Sequence, residues 1–186
     1  MHTTAEYAGK IVEELRRAAE QLPSEGAERL VEAVAGAGKV FVAGAGRSGL
    51  MAKAFAMRLM HLGISAHVVG ETVTPGLDAG DLLLITSGSG ETKSLIAMAD
   101  KVKTLGGTLA LVTIEPGSSI GQRADIVAQL PGAVKDAASD PNKTIQPMGS
   151  LFEQTLLLFL DAAILRLMDK RGQDSGSMYG KHANLE

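Results

Sequence analysis

Apolar side chains recur at three- and four-residue steps over residues 4–22 (Tyr7, Ile11, Leu15, Ala18, Leu22), with Glu13, Glu14, Arg16 and Arg17 set opposite, and this period predicts a helix. Pro23 breaks it, and a second helix is predicted over residues 24–37, with Ser24 as N-cap and Gly36 and Gly38 ending it. Both read as outer layers or subunit contacts. The pattern then shortens. Residues 39–43 form an apolar run of strand length, followed by a glycine-rich turn and a helix carrying Leu50, Ala54, Met57 and Met60. Further strands are predicted at residues 66–69, 82–86, 108–114 and 126–130. A helix over residues 91–105 turns Leu95, Ile96, Ala99 and Val102 inward and closes at Gly106-Gly107, and residues 117–124 supply a short helical crossover. Residues 131–147 are polar, hold three prolines and show no period, which predicts a long loop of the kind that forms lids or contact segments. The last helix, residues 150–170, is apolar on nearly every side from Leu156 to Leu160, so it must be buried, in part by another subunit. Glycine and serine dominate the tail that follows.

Alternation of short apolar runs with amphipathic segments implies a parallel sheet of about five strands with helices on both faces and right-handed crossovers, an α/β three-layer αβα sandwich. The length of 186 residues fits a single domain over 1–186, divided into N-terminal helices (1–38), an αβα core (39–170) and a C-terminal tail (171–186). In such sheets ligands lie at the carboxyl ends of the strands. Two glycine-serine loops fall there.

The first loop, Gly44-Ala45-Gly46-Arg47-Ser48-Gly49, matches G-x-G-x-x-G. A dinucleotide fold would use it, with Glu71 offered to a ribose hydroxyl. The second loop, Ser87-Gly88-Ser89-Gly90-Glu91-Thr92, argues for a different ligand, because a dinucleotide site has no need of it. Two glycines let backbone approach a ligand, three hydroxyls (Ser87, Ser89, Thr92) converge, and a helix N-terminus adds unpaired N–H groups and a positive dipole end. Simple capping needs one hydroxyl, so this loop reads as a phosphate site for a small molecule. Ser48 and the backbone around Gly46 read as contacts to a sugar's hydroxyls or phosphate, while Gly49 fits equally well as a packing glycine. Arg47 fits either a solvated helix position or a ligand contact.

Composition narrows the partners. A formal net charge of -3 and six aromatic residues leave no basic stripe or stacking platform for nucleic acid. With no cysteine there is neither a disulfide framework nor a thiolate nucleophile, and His2, His61, His67 and His182 are too scattered for a local metal site. The N-terminus lacks a basic and apolar signal, and the apolar stretch 151–168 is interrupted by Glu153, Gln154, Asp161 and Arg166, so no membrane span is expected. A cytoplasmic protein without metal or cofactor is the expectation.

Glu153 has two readings. Ser150-x-x-Glu153 is a capping-box pattern, in which the carboxylate bonds the Ser150 N–H. A carboxylate opening an apolar helix, after the turn Pro147-Met148-Gly149, could instead face the cleft as a general base for a C–H proton. His182 is either a tail residue or an acid-base partner folded over the cleft.

These segments carry a resemblance. Gly44-Ala45-Gly46-Arg47-Ser48-Gly49, Val69-Gly70-Glu71-Thr72, Ser87-Gly88-Ser89-Gly90-Glu91-Thr92, Pro147-Met148-Gly149-Ser150-Leu151-Phe152-Glu153 and the terminal His182-Ala183-Asn184-Leu185-Glu186 together resemble the sugar-isomerase (SIS) domains, most closely the 6-phospho-3-hexuloisomerases, over nearly the whole chain. The resemblance implies a flavodoxin-like sheet and a reversible shift of a carbonyl between C3 and C2, interconverting D-arabino-hex-3-ulose 6-phosphate and fructose 6-phosphate through an enediol or enediolate without cofactor or metal. It also implies a homotetramer with sites at subunit contacts. By that similarity Gly46, Arg47, Ser48, Ser87, Gly88, Ser89, Gly90, Glu91 and Thr92 bind the sugar phosphate, Glu153 is the proton-transferring base, and His182 is a second acid-base group. Two other outcomes stay open: a non-catalytic sugar-phosphate-binding module, or a dinucleotide-dependent enzyme.

Overall fold

A computed structural model describes residues 2–132 and 144–185. Two helices come first, α1 (Thr4–Ala19) and α2 (Ser24–Gly36). Then β1 (Val40–Gly44), α3 (Gly46–His61) and β2 (Ala66–Val68) lead to β3 (Leu82–Thr86), α4 (Lys93–Leu105) and β4 (Thr108–Thr113). A 3-10 turn at Gly121–Arg123 precedes β5 (Ile126–Gln129), and α5 (Ser150–Arg171) and α6 (Ser175–Tyr179) finish the chain. The five strands form one parallel sheet in the order β2-β1-β3-β4-β5. This is the α/β fold with helices on both faces that the pattern of short strands and amphipathic helices predicts.

Strand order decides which helix covers which face. From β1 the chain moves outward to β2 on one side, and from β3 it moves outward to β4 on the other. Right-handed crossovers in opposite directions put α3 and α4 on opposite faces. One core accordingly joins Leu30, Val31 and Val34 of α2, Phe55 and Leu59 of α3, and Leu156, Phe159, Leu160 and Leu167 of α5 to Val40, Val42, Leu82 and Leu84 of the sheet. The other joins Leu95, Ala99 and Val102 of α4 to Phe41, Leu83, Ile85, Leu109 and Leu111. Alternate residues of β1 and β3 thus serve different layers, as the period-two pleat requires, and all five residues of β3 are buried. The reversal between β1 and β3 opens a crevice beyond their carboxyl ends.

Several boundaries differ from the sequence expectation. Ser24 is the first helical residue and Pro23 the cap, with no side-chain bond there. Pro23 has no N–H, and its fixed φ suits a helix entry. α4 begins at Lys93, because Glu91 and Thr92 are still in the loop. The tail contains a helix, α6, stabilised by Asp174 and Ser177, each of whose side chains accepts from the other's backbone N–H in a capping box. Of the expected loop at 131–147, residues 133–143 lie outside the described residues. No helix among the described residues is long and apolar enough to cross a membrane.

Asp81 ties the amino ends of β1 and β3 together. It is buried and accepts from the backbone N–H groups of Lys39 (2.9 Å) and Asp78 (2.8 Å), while the Lys39 ammonium lies 3.1 Å away. Burial pushes its pKa up, but the Asp78 and Lys39 donors and the Lys39 charge more than reverse this and hold it below the ordinary carboxylate value. Its folded pKa is therefore lower than its unfolded one, so its contribution is full above the unfolded pKa and is lost as pH falls through the folded one. Asp81→Asn should lower stability by about 1–3 kcal/mol at neutral pH, read from the urea midpoint, and should flatten the acid limb of the stability profile. An unchanged midpoint would leave Asp81 as a bystander.

Candidate active site

The glycine-rich turn is built by a close approach of α3 to β1. A Cβ on Gly49 would lie 2.5 Å from the Gly44 carbonyl oxygen, and one on Gly44 would lie 2.9 Å from the Gly49 Cα. These two glycines are thus required by packing, as Gly49 was open to be. Gly46 differs: its φ of +56° is left-handed, and a Cβ there would meet nothing within 4 Å. It turns the chain into α3 and leaves space above it. The Thr86 hydroxyl, at the end of β3, donates to the Ser48 carbonyl at 3.0 Å, so the two glycine-serine loops are tied at their roots.

The loop at 87–92 is held from inside. Ser87 Oγ is buried and accepts from the Gly90 N–H (3.1 Å), and Ser89 Oγ accepts from the Glu91 N–H (3.3 Å). Gly90, with φ +63°, sits where a Cβ would overlap the Ser118 side chain. The Gly88 carbonyl accepts from the Ile114 N–H and the Thr113 hydroxyl, and its Cα packs toward Phe152 of α5. Glu91 accepts from the Ser119 N–H at 2.6 Å, a bond that draws its pKa down and binds the loop to the neighbouring turn. Its carboxylate is thereby committed to Ser119, which suits a structural latch; a second anion would be repelled by it. Thr92 is the N-cap of α4 and makes no side-chain capping bond. Its carbonyl accepts from the Leu95 and Ile96 N–H groups (2.9 and 3.0 Å), and the Lys93 and Ser94 N–H groups at the start of the helix have no intrahelical acceptor.

Glu153 lies in the first turn of α5, next to the Phe152 that packs against Gly88. It does not form the expected capping box. The helix begins one residue earlier in effect, with Gly149 as N-cap, no side-chain capping bond, and the Glu153 N–H donating to the Gly149 carbonyl (3.0 Å). The carboxylate, 17% exposed, turns instead to Arg47, whose Nη1 lies 2.8 Å from its Oε2 and donates to Ser150 Oγ at 3.0 Å. Gly149 leaves it room, since a Cβ there would stand 3.3 Å from Oε1. Arg47, half exposed, is thus neither a purely solvated residue nor a lone ligand contact. It bridges the starts of α3 and α5. Ser150 enters the site by this bond, and only the overlooked position of the cap hid it in the sequence.

The structure brings Gly46, Arg47, Ser48, residues 87–92 and Glu153 to one end of the sheet, but not His182. The His182 ring stacks on His61 with centroids 5.5 Å apart, and Tyr179 flanks it at 6.2 Å. His61 ends α3, whereas Gly46 begins it, so the two ends of that helix are separated by roughly 24 Å at 1.5 Å per residue. Within one subunit His182 therefore does not close over the cleft. Its capped helix directs the tail to the opposite end of α3. Glu71, the candidate ribose ligand, lies 3.7 Å from the Lys53 ammonium.

Comparison with known proteins gives a consistent result. The SIS domain family model matches residues 33–158. A Bacillus subtilis protein named 3-hexulose-6-phosphate isomerase is 57% identical over 183 residues, covering 98% of this chain and 99% of its own length. A Mycobacterium gastri protein of the same name is 45% identical, covering 80% of this chain and 74% of its own. Among solved structures, a Methanococcus jannaschii protein, for which a 3-hexulose-6-phosphate isomerase function was inferred, superposes with a TM-score of 0.81 at 31% identity, covering 97% of this chain and 99% of that one.

Proposed function

The chain belongs to the SIS domain family, and from that premise we propose that it interconverts D-arabino-hex-3-ulose 6-phosphate and D-fructose 6-phosphate, with Glu153 as the proton-transferring base. The geometry that carries this reading is the Glu153–Arg47 pair at 2.8 Å, in the first turn of a helix whose Phe152 packs against Gly88 of the hydroxyl-lined loop. The relatives named 3-hexulose-6-phosphate isomerase support the choice of substrate.

In the direction of fructose 6-phosphate, the Glu153 carboxylate takes the C2 proton, and the electron pair forms the C2–C3 double bond as the C3 carbonyl becomes an enolate oxygen. A proton then moves from the C2 hydroxyl to the C3 oxygen, the carbonyl forms at C2 as the C2–C3 double bond opens, and C3 takes back the proton held by Glu153, which leaves a C3 hydroxyl and a regenerated carboxylate. One carboxylate over one face of the enediolate serves both carbon centres. The Arg47 guanidinium, beside that carboxylate, supplies fixed positive charge where the oxyanion develops. The phosphate at C6 is remote from the bonds that change. Held by the first-turn N–H groups of α4 and the Ser87, Ser89 and Thr92 hydroxyls, with Ser48 and the Gly46 backbone on the sugar, it contributes positioning.

Glu153→Gln tests the base assignment. The Arg47 contact it weakens is open to solvent on the arginine side and contributes about 1 kcal/mol, and Gln keeps an oxygen for the guanidinium, so the fold should persist. Turnover in a cofactor-free assay of fructose 6-phosphate formation should fall by at least about a hundredfold with similar substrate affinity. A folded variant with near-normal turnover would remove Glu153 from the chemistry.

The phosphate loop separates into two behaviours. Thr92→Ala, which breaks no internal bond, should weaken inorganic phosphate and substrate binding together by roughly 1–3 kcal/mol at an unchanged melting temperature. Ser87→Ala should lower the melting temperature as well, because it also frees the Gly90 N–H. Phosphate inhibition unaltered in both would reduce the loop to a turn.

The same reading includes a homotetramer, in which His182 of one subunit serves as an acid-base group in a neighbour's cleft. Its support is the exposed apolar set Leu50, Met57 and Met60 on α3, together with an exposed His182 at the far end of that helix. Light scattering should give four chains per particle, and deletion of residues 179–186 should cut turnover well beyond any change in melting temperature. A monomer, or a fully active truncation, would remove the role.

A further inference from the structure

Glu14 is a buried carboxylate on a helix that is otherwise mostly exposed; the residue is 7% accessible. Three donors from one short stretch converge on it: Thr144 Oγ1 at 2.6 Å and Gln146 Nε2 at 2.9 Å on Oε2, and the Ile145 N–H at 2.9 Å on Oε1. Thr144 Oγ1 also accepts the Gln146 N–H at 3.0 Å, and Gln146 is itself buried. Burial pushes the Glu14 pKa up, but the bonds from Thr144, Gln146 and Ile145, with the nearby Arg17 charge, bring it below the ordinary value. Glu14 is therefore ionised at neutral pH. A buried, ionised carboxylate with three donors is a costly way to attach a loop, and it concentrates the hold on one place.

That place adjoins the candidate site. Pro147, Met148 and Gly149 alone separate Gln146 from Ser150. The Pro147 carbonyl accepts the Ser150 N–H, and Gly149 caps α5. Between them Met148 has φ +56°, a left-handed conformation that L side chains rarely adopt, although its side chain is 78% exposed. No buried packing of its own enforces that backbone. It persists because the chain is fixed on both sides, by the Glu14 grip before it and by α5 after it.

We propose that Glu14 is a positioning residue for the reaction: by gripping residues 144–146 it sets the strained turn at 147–149 and thereby the placement of Ser150 and Glu153 against Arg47. The role rests on the reading of Glu153 as the base. Glu14 touches no reacting atom, so its removal acts on proton transfer by displacing the first turn of α5 and leaves the phosphate loop as it was.

The test uses the full chain with Glu14→Gln, which offers one acceptor oxygen where two are used and points an NH2 at a donor, and with Thr144→Val, which releases part of the grip from the other side. Because small misplacements of reacting groups carry large rate penalties, kcat should fall by about tenfold or more in Glu14→Gln, and less in Thr144→Val. KM and inhibition by inorganic phosphate should stay within about twofold, since uniform binding is not removed. Hydrogen exchange in peptides spanning residues 145–153 should quicken, with exchange across residues 87–92 unchanged. If Glu14→Gln does not fold, Thr144→Val alone decides, on the same readouts. A folded Glu14→Gln with wild-type kcat, or a loss in which KM and phosphate inhibition deteriorate in step with kcat, would overturn the role. Glu153→Gln measured alongside separates the two ideas: if it is fully active the base assignment fails and takes the Glu14 role with it, whereas an inactive Glu153→Gln beside a fully active Glu14→Gln overturns the Glu14 role alone.

Discussion

The contact between Gly49 and the Gly44 carbonyl is the constraint on which the site depends. Any side chain at either position would push α3 away from β1. With α3 seated there, Arg47 projects from its first turn toward α5, and the Ser48 carbonyl meets the Thr86 hydroxyl at the end of β3. One close approach of backbone to backbone thus registers three elements that are distant in sequence. The rest of the crevice is arranged around it.

The sheet supplies rigidity behind that contact. β3 is buried along its whole length, and its alternating residues anchor α4 on one side and the α2–α3–α5 layer on the other. α5 buries one side against α1, α2, α3 and the core they share with the sheet, while Leu158 and Leu165 on its other side stay exposed, so its position is set by packing along many residues and not by its own cap. A base carried on such a helix can be held at fixed distance from substrate without support from a loop. Its first turn is the exception, because there the chain has just left a left-handed Met148.

Much of this was legible in the sequence. Short continuous apolar runs and glycine punctuation locate the five strands and the inward face of α4, because those signals are local; in α3 the conspicuous Leu50, Met57 and Met60 lie on the exposed face, and Ala52, Phe55 and Leu59 are the buried ones. The two glycine-serine loops declare themselves for the same reason. Ser150-x-x-Glu153 misleads because a capping box and a helix-borne carboxylate have the same spacing; the choice between them lies in Arg47, more than a hundred positions earlier. Glu14 was grouped with the solvated face, yet it stands three residues after Ile11 and four before Ala18, on the inward stripe. The period contained the signal, but a charge at an inward position becomes intelligible only when residues 144–146 are placed beside it. His182 could not be located at all from sequence, since its stacking on His61 depends on where α6 directs the tail.

On the proposed reading, binding and chemistry occupy separate parts of the chain. The hydroxyl-lined loop is the β3–α4 connection, while the Glu153 carboxylate is carried on α5, after β5. The Phe152 ring against Gly88 joins the two. On the assignment proposed for Glu153, this separation makes the scaffold modular. Altering one helical turn could silence proton transfer and leave a receptor that still holds phosphorylated sugars, and a reshaped α5 terminus could redirect the transfer to other carbons without rebuilding the anion site. A fold divided in this way can generate enzymes and sensors from the same cradle.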